Sequence, residues 1–79
     1  MIKIDQSFIF TMHKDKGNAL IVESVVSIGQ KFNLKVLAEG VENAEVLEQL
    51  SNMHCDYYQG NYAFKPLPYE AFKKLLSEN

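Results

Sequence analysis

Seventy-nine residues, 47% apolar and 23% charged with a net charge of −2, have the make-up of a globular chain rather than a disordered one. The weak negative charge and scattered lysines exclude the basic face that a phosphate polymer requires, so no nucleic acid polymer is expected as a partner. One cysteine cannot close an internal disulfide, no apolar run is long enough for a membrane span, and the N-terminus lacks a signal-peptide pattern; the cytoplasm is the expected location.

Taken in chain order, Ile2-Lys3-Ile4-Asp5 alternates apolar and charged residues and predicts a strand with Lys3 and Asp5 on one face. His13 to Asn18 is polar, contains Gly17 and predicts a loop into a helix from about Ala19 to Phe32. In that helix Ile21, Val25, Ile28 and Phe32 form an apolar stripe that Val22, Val26 and Gly29 widen. Asn33 suits a C-terminal stop. The short apolar run Val36-Leu37-Ala38 predicts a second strand. Asn43 then suits the N-cap of a helix that turns Leu47, Leu50 and Met53 inward, carries Glu45 near its positive end and stops at His54. Cys55 to Gly60 predicts a third strand ending at Gln59, and Pro66-Leu67-Pro68 is expected to block further strand before a short last helix through Leu76.

Each predicted strand carries one polar group toward its end, and Glu39 sits where the second strand stops. In parallel α/β folds the strand ends form the ligand-facing rim, so a carboxylate there is a candidate for chemistry. Each candidate has an ordinary structural rival. A strand lysine on its own is most often a solvated edge residue. Asp5 suits capping of the turn that follows it, and Gly40 and Gly60 suit tight backbone. His54 and Cys55 lack the further ligands of a metal site or the partner of a nucleophile, which favours packing; packing is likewise the reading for Tyr57, Tyr58, Tyr62 and Phe64, with stacking on a base as the rival.

Four blocks, Lys3-Ile4-Asp5-Gln6-Ser7-Phe8-Ile9, Ala38-Glu39-Gly40-Val41-Glu42, Cys55-Asp56-Tyr57-Tyr58-Gln59-Gly60 and Lys65-Pro66-Leu67-Pro68, together resemble the final blocks of EAL-type cyclic di-GMP phosphodiesterases in order and spacing. The resemblance implies an α/β fold: three β-α units from the C-terminal part of a TIM-like (β/α)8 barrel, with residues 1–79 as one partial EAL domain. Such a barrel takes about 250 residues. The family's Glu-Ala-Leu segment, its metal-binding Asn and Glu strands and its paired-Asp loop belong upstream of the block matched by Lys3, so the chain reads as a C-terminal fragment.

The implied chemistry is hydrolysis of cyclic di-GMP with Mg²⁺ or Mn²⁺ in the complete domain and no ion held by this chain alone. By resemblance Lys3, Glu39 and Gln59 are the catalytic residues, with Glu39 also at the metal, and Asp5 and Glu42 stand behind them. After the glutamine-glycine pair the family has an aromatic residue and then Phe-Ser ahead of the proline; here Asn61-Tyr62-Ala63-Phe64-Lys65 intervenes, so Asn61 either replaces the aromatic or is inserted with the serine lost. Two function classes follow: an enzyme part that is inactive alone, or a non-catalytic EAL-derived module for interaction or self-association. Open sheet edges make self-association, or pairing with a complementary barrel fragment, the expected partnership, and no membrane is expected.

Overall fold

A computed structural model describes residues 1–61 and 63–78 of the chain. β1 (Ile2–Ile4) alternates as its sequence requires, with Ile4 buried and Lys3 exposed. Asp5 ends the extended run because its carboxylate accepts the Ser7 N–H at 3.0 Å, capping the single-turn helix α1 (Gln6–Ile9). One turn is too short for a 3.6-residue period to reveal it.

α2 (Lys16–Lys31) starts three residues before the expected Ala19, since Asp15 accepts the Asn18 N–H at 3.1 Å and fixes the cap there. Its inward face is also turned from the expected stripe. Val22, Val26 and Gly29 are buried, whereas Ile21, Ile28 and Phe32 are exposed. Gly29 is the physical reason: a Cβ there would lie 2.5 Å from Val36 Cγ2, so the helix docks closest where it has no side chain.

β2 (Val36–Glu39) follows, then α3 (Ala44–Asn52), whose cap Asn43 accepts the Val46 N–H at 2.9 Å as expected. Both longer helices before it and including it stop in the same way. Asn33 has φ 56 and His54 has φ 68; the Leu34 N–H reaches Gly29 O at 2.8 Å and the Cys55 N–H reaches Leu50 O at 3.1 Å. These left-handed residues close the helix ends by reusing free carbonyls. His54 is thus an exposed cap rather than a packed side chain, while Cys55 is buried.

β3 (Tyr57–Gly60) is shorter than expected, because Cys55 and Asp56 are used before it. The Asp56 carboxylate accepts the Val36 N–H at 2.8 Å and ties the start of β2 to the approach to β3. β4 (Ala63–Leu67) is a correction: Pro66 does not block strand formation, and the sheet has four strands rather than three. β4 runs antiparallel to β3 at the sheet edge, with a register shift between Tyr58 and Gly60, and edges and bulges are the positions where a strand tolerates proline. α4 (Tyr69–Ser77) starts at the Pro68 cap.

The sheet order is β1-β2-β3-β4, with the first three strands parallel. Ile4, Val36, Ala38, Tyr58 and Ala63 share one core with Ile9 of α1, Val22 and Val26 of α2, Val46, Leu47 and Leu50 of α3, and Phe72 of α4. All four helices therefore cover the same face. Strand period puts Lys3, Leu37, Tyr57, Glu39 and Gln59 on the other face, and Leu37, though buried, lies outside that core. A short axis of 18 Å matches one sheet layer and one helix layer.

Candidate functional site

The register aligns the polar groups on the helix-free face. Lys3, Leu37 and Tyr57 form one row across β1, β2 and β3, and Glu39 pairs with Gln59 one same-face step nearer the C-terminal ends. Ordinary sheet spacings put the Lys3 and Glu39 Cα atoms roughly 8 Å apart, a gap that a lysine stem spans. Glu39 and Gln59 are half-buried, and Lys3 is exposed.

Two loops lock this end of the sheet. Gly40 has φ +80, and a Cβ on it would lie 2.6 Å from Gln6 Cβ and 3.0 Å from Phe10 Cε1. Only glycine fits that turn. Gly60 lies against the Val41 backbone, and the Val41 N–H donates to Gln59 O at 3.0 Å, so the loops after β2 and β3 hold each other.

Between them lies a cavity of about 200 Å³ lined by Gln6, Glu39, Glu42, Gln59, Asn61 and Phe64, with Gly40 and Gly60. The structure thus brings Glu39, Glu42 and Gln59 to one hollow and leaves Lys3 and Asp5 outside its lining. Asp5 is spent on α1, and hydrogen bonds from Ser7 hold its carboxyl below the ordinary carboxylate value. The Gln59 amide donates through Nε2 to Phe64 O at 2.6 Å, which leaves its Oε1 as the acceptor end of the side chain.

Sequence reasoning missed Gln6 and Asn61 as lining residues and gave Phe64 a ligand-facing role only as the rival to packing. Gln6 directly follows a strand, and the departure from the family pattern after Gly60 marked the other two; these were the available signals. Tyr58 packs as expected, edge-on to Tyr69 with ring centroids 6.2 Å apart, and its hydroxyl donates to Cys55 O at 2.9 Å. Phe64 does not pack: it is 86% exposed. Tyr62 lies outside the described residues. A larger hollow of about 400 Å³, lined by Glu23, Ser27, Gln30, Gln49, Asn52 and Met53, lies between α2 and α3 and holds none of the candidate residues.

Whether a divalent ion fits can be judged from the donors. Mg²⁺ takes six oxygens in near-octahedral array. Here Glu39 and Glu42 supply two carboxylates to the lining and Gln59 one carbonyl, and among the described residues no three His, Cys, Asp or Glu side chains cluster to hold a metal. The donor set falls short of a site. The cavity is also below the roughly 300–1,000 Å³ usual for small-molecule sites.

Residues 1–66 match the family model described as the EAL domain. The chain is 45% identical over 76 residues to the oxygen sensor protein DosP of Escherichia coli (strain K12), covering 96% of this chain and 10% of DosP. It is 36% identical over 75 residues to the cyclic di-GMP phosphodiesterase NbdA of Pseudomonas aeruginosa, covering 95% and 10% respectively. The PaMucR phosphodiesterase, solved as a c-di-GMP complex, superposes with a TM-score of 0.73 at 38% identity, over 89% of this chain and 28% of that one. The chain spans about a tenth of the length of these curated relatives.

Proposed function

Because the chain belongs to the EAL domain family, we propose that it is the C-terminal portion of a cyclic di-GMP phosphodiesterase domain of TIM-like architecture. In this reading its three parallel strands are the last of the barrel, and they supply the Lys3, Glu39 and Gln59 side of a site that opens cyclic di-GMP to linear pGpG. The observation that carries the reading is the pairing of Glu39 with Gln59 at adjacent strand ends, on the face that no described helix covers. Phosphodiesterase relatives, one of them solved with c-di-GMP, supply the substrate class.

Each residue then has a role set by its chemistry. Lys3 puts an ammonium where a phosphate's developing negative charge needs offsetting. Glu39 offers the carboxylate that takes a proton or joins a metal site. Gln59 is neutral: it positions through Oε1 and cannot neutralise charge. Glu42 and Asp5 support the loop and the α1 turn. Mg²⁺ or Mn²⁺ belongs to the complete barrel, whose other strands provide the remaining oxygens, so the 79-residue chain alone is inactive.

A second reading, a non-catalytic module that pairs with a complementary barrel fragment or with itself, draws on the open β1 edge and on exposed Met1, Ile21, Ile28, Phe32 and Leu34. The deciding experiment joins this chain to the remainder of the PaMucR domain in place of the matching segment and follows pGpG release. The hybrid is expected to hydrolyse cyclic di-GMP while the free chain does not. An inactive, folded hybrid favours the module, and pGpG formed by the free chain and lost in Glu39→Gln overturns the incomplete-site reading.

A further inference from the structure

The turn that carries Glu39 out of β2 is gripped from two sides, and only one of them is the sheet. On the β3 side the Val41 N–H donates to Gln59 O at 3.0 Å and Gly60 lies against the Val41 backbone. On the β1 side stands α1. Gln6 and Phe10 are four residues apart and therefore share one helical face; they are the residues nearest the point where a Gly40 Cβ would stand, with Gln6 Cβ at 2.6 Å and Phe10 Cε1 at 3.0 Å. α1 itself is fixed, because Asp5 caps it and Ile9 is fully buried in the core. Phe10 is 41% exposed and lies outside that core; it borders a hollow of about 180 Å³ with Gly40, Glu42 and Asn43, so its packing partner is the turn. Glu39 depends on such support. Among the described residues no hydrogen bond or ion pair holds its carboxylate, so within this chain the direction of that group follows from the backbone that carries it.

We infer that Phe10, with Gln6 beside it, is a positioning residue for Glu39: α1 backs the Gly40 turn and thereby keeps the Glu39 carboxylate beside Gln59. The inference rests on the phosphodiesterase reading and deepens it, since it ties the aim of the carboxylate to a ring outside the lining of the Glu39 cavity. Misplacing a reacting group by about 1 Å costs about 10²-fold in rate. Phe10 is no part of the core, so Phe10→Ala loosens the turn and keeps the fold.

The test uses the barrel completed with the PaMucR remainder. Phe10→Ala is expected to lower kcat for pGpG release about tenfold or more with KM within about twofold, because the lost contact acts on the reacting group and not on substrate binding. Phe10→Leu, which refills much of the gap, recovers most of the wild-type rate. In Phe10→Ala the Val41 amide, closed in wild type by its bond to Gln59 O, exchanges with solvent faster, while amides in the middle of β2 keep their rates. Val22→Ala, a core change on α2, is the control: it lowers the melting temperature and leaves kcat unchanged. Unchanged kcat in Phe10→Ala overturns the inference. So does a loss carried by KM, which places Phe10 in substrate binding, or an equal fall in Val22→Ala, which makes the loss a matter of stability. A wild-type hybrid without turnover sinks the phosphodiesterase reading alone; the positioning role then stands or falls with the Val41 amide, and unchanged exchange in Phe10→Ala overturns it.

Discussion

Glu39 is the residue on which the proposed chemistry turns. It is half-buried at a strand end and shares a cavity with Glu42 and Gln59, so its carboxylate is available to solvent-borne reactants. Glu39→Gln keeps shape and loses charge. In a barrel completed around this chain, turnover should fall by at least about 10²-fold, the usual scale for a lost proton-transfer group, with the melting temperature nearly unchanged. Near-normal turnover in a steady-state pGpG assay would make Glu39 part of the scaffold.

Cys55 is the opposite kind of residue: buried and removed from the site. Burial pushes its thiol from an ordinary 9.0 up to about 11, so the fold favours the neutral form. That stabilisation is fully present below pH 9 and is lost as pH rises through about 11. Denaturant midpoints should therefore fall between pH 9 and 11, and less steeply in Cys55→Ala; equal slopes in the two proteins would remove the thiol from the account. Part of the fall will remain in the variant, because burial also raises the Tyr58 hydroxyl above its ordinary 10.0.

Among the elements, β2 depends on a side chain from beyond α3. Val36 is fully buried, and its N–H is satisfied by the Asp56 carboxylate at 2.8 Å, just before β3 takes over the pairing at Leu37 and Tyr57. Asp56→Ala strands that donor, which costs about 1–3 kcal/mol. For a chain of this size each kcal/mol lowers the melting temperature by about 4–8 °C. Asp56→Asn keeps an acceptor and should lose less; calorimetry showing equal loss in both would assign the effect to the Lys35–Asp56 ion pair at 3.9 Å instead.

For the whole molecule, the described residues leave one sheet face without helices and β1 unpaired on its outer side. Exposed Ile28, Phe32 and Leu34 lie on α2 and the turn after it, beside an edge that can pair with another chain. Purified protein at micromolar concentration should sediment as a dimer or larger, or else exchange its sheet amides quickly. A monomer with strongly protected amides in β1, β2 and β3 would mean that four helices on one face are enough to make it self-sufficient.

Much of this was legible in the residues themselves, because local chemistry decided it. Asn43, Asn33 and His54 mark helix ends through side-chain acceptors and left-handed backbone, and period two aligns Lys3 with the site face. The acidic strand end and the glutamine-glycine pair were likewise visible as local pattern. What tertiary structure decided was whatever depends on contact between distant segments. The closeness of Gly29 to Val36 chose the buried face of α2 over the more apolar stripe, since docking distance outweighs hydrophobicity where one helix position lacks a side chain. Pro66 entered a strand because the sheet edge asks it for no ladder hydrogen bond on its outer side. Phe64 came to the cavity, and Lys3 stayed outside its lining, because strand register is a property of the sheet that no single segment carries.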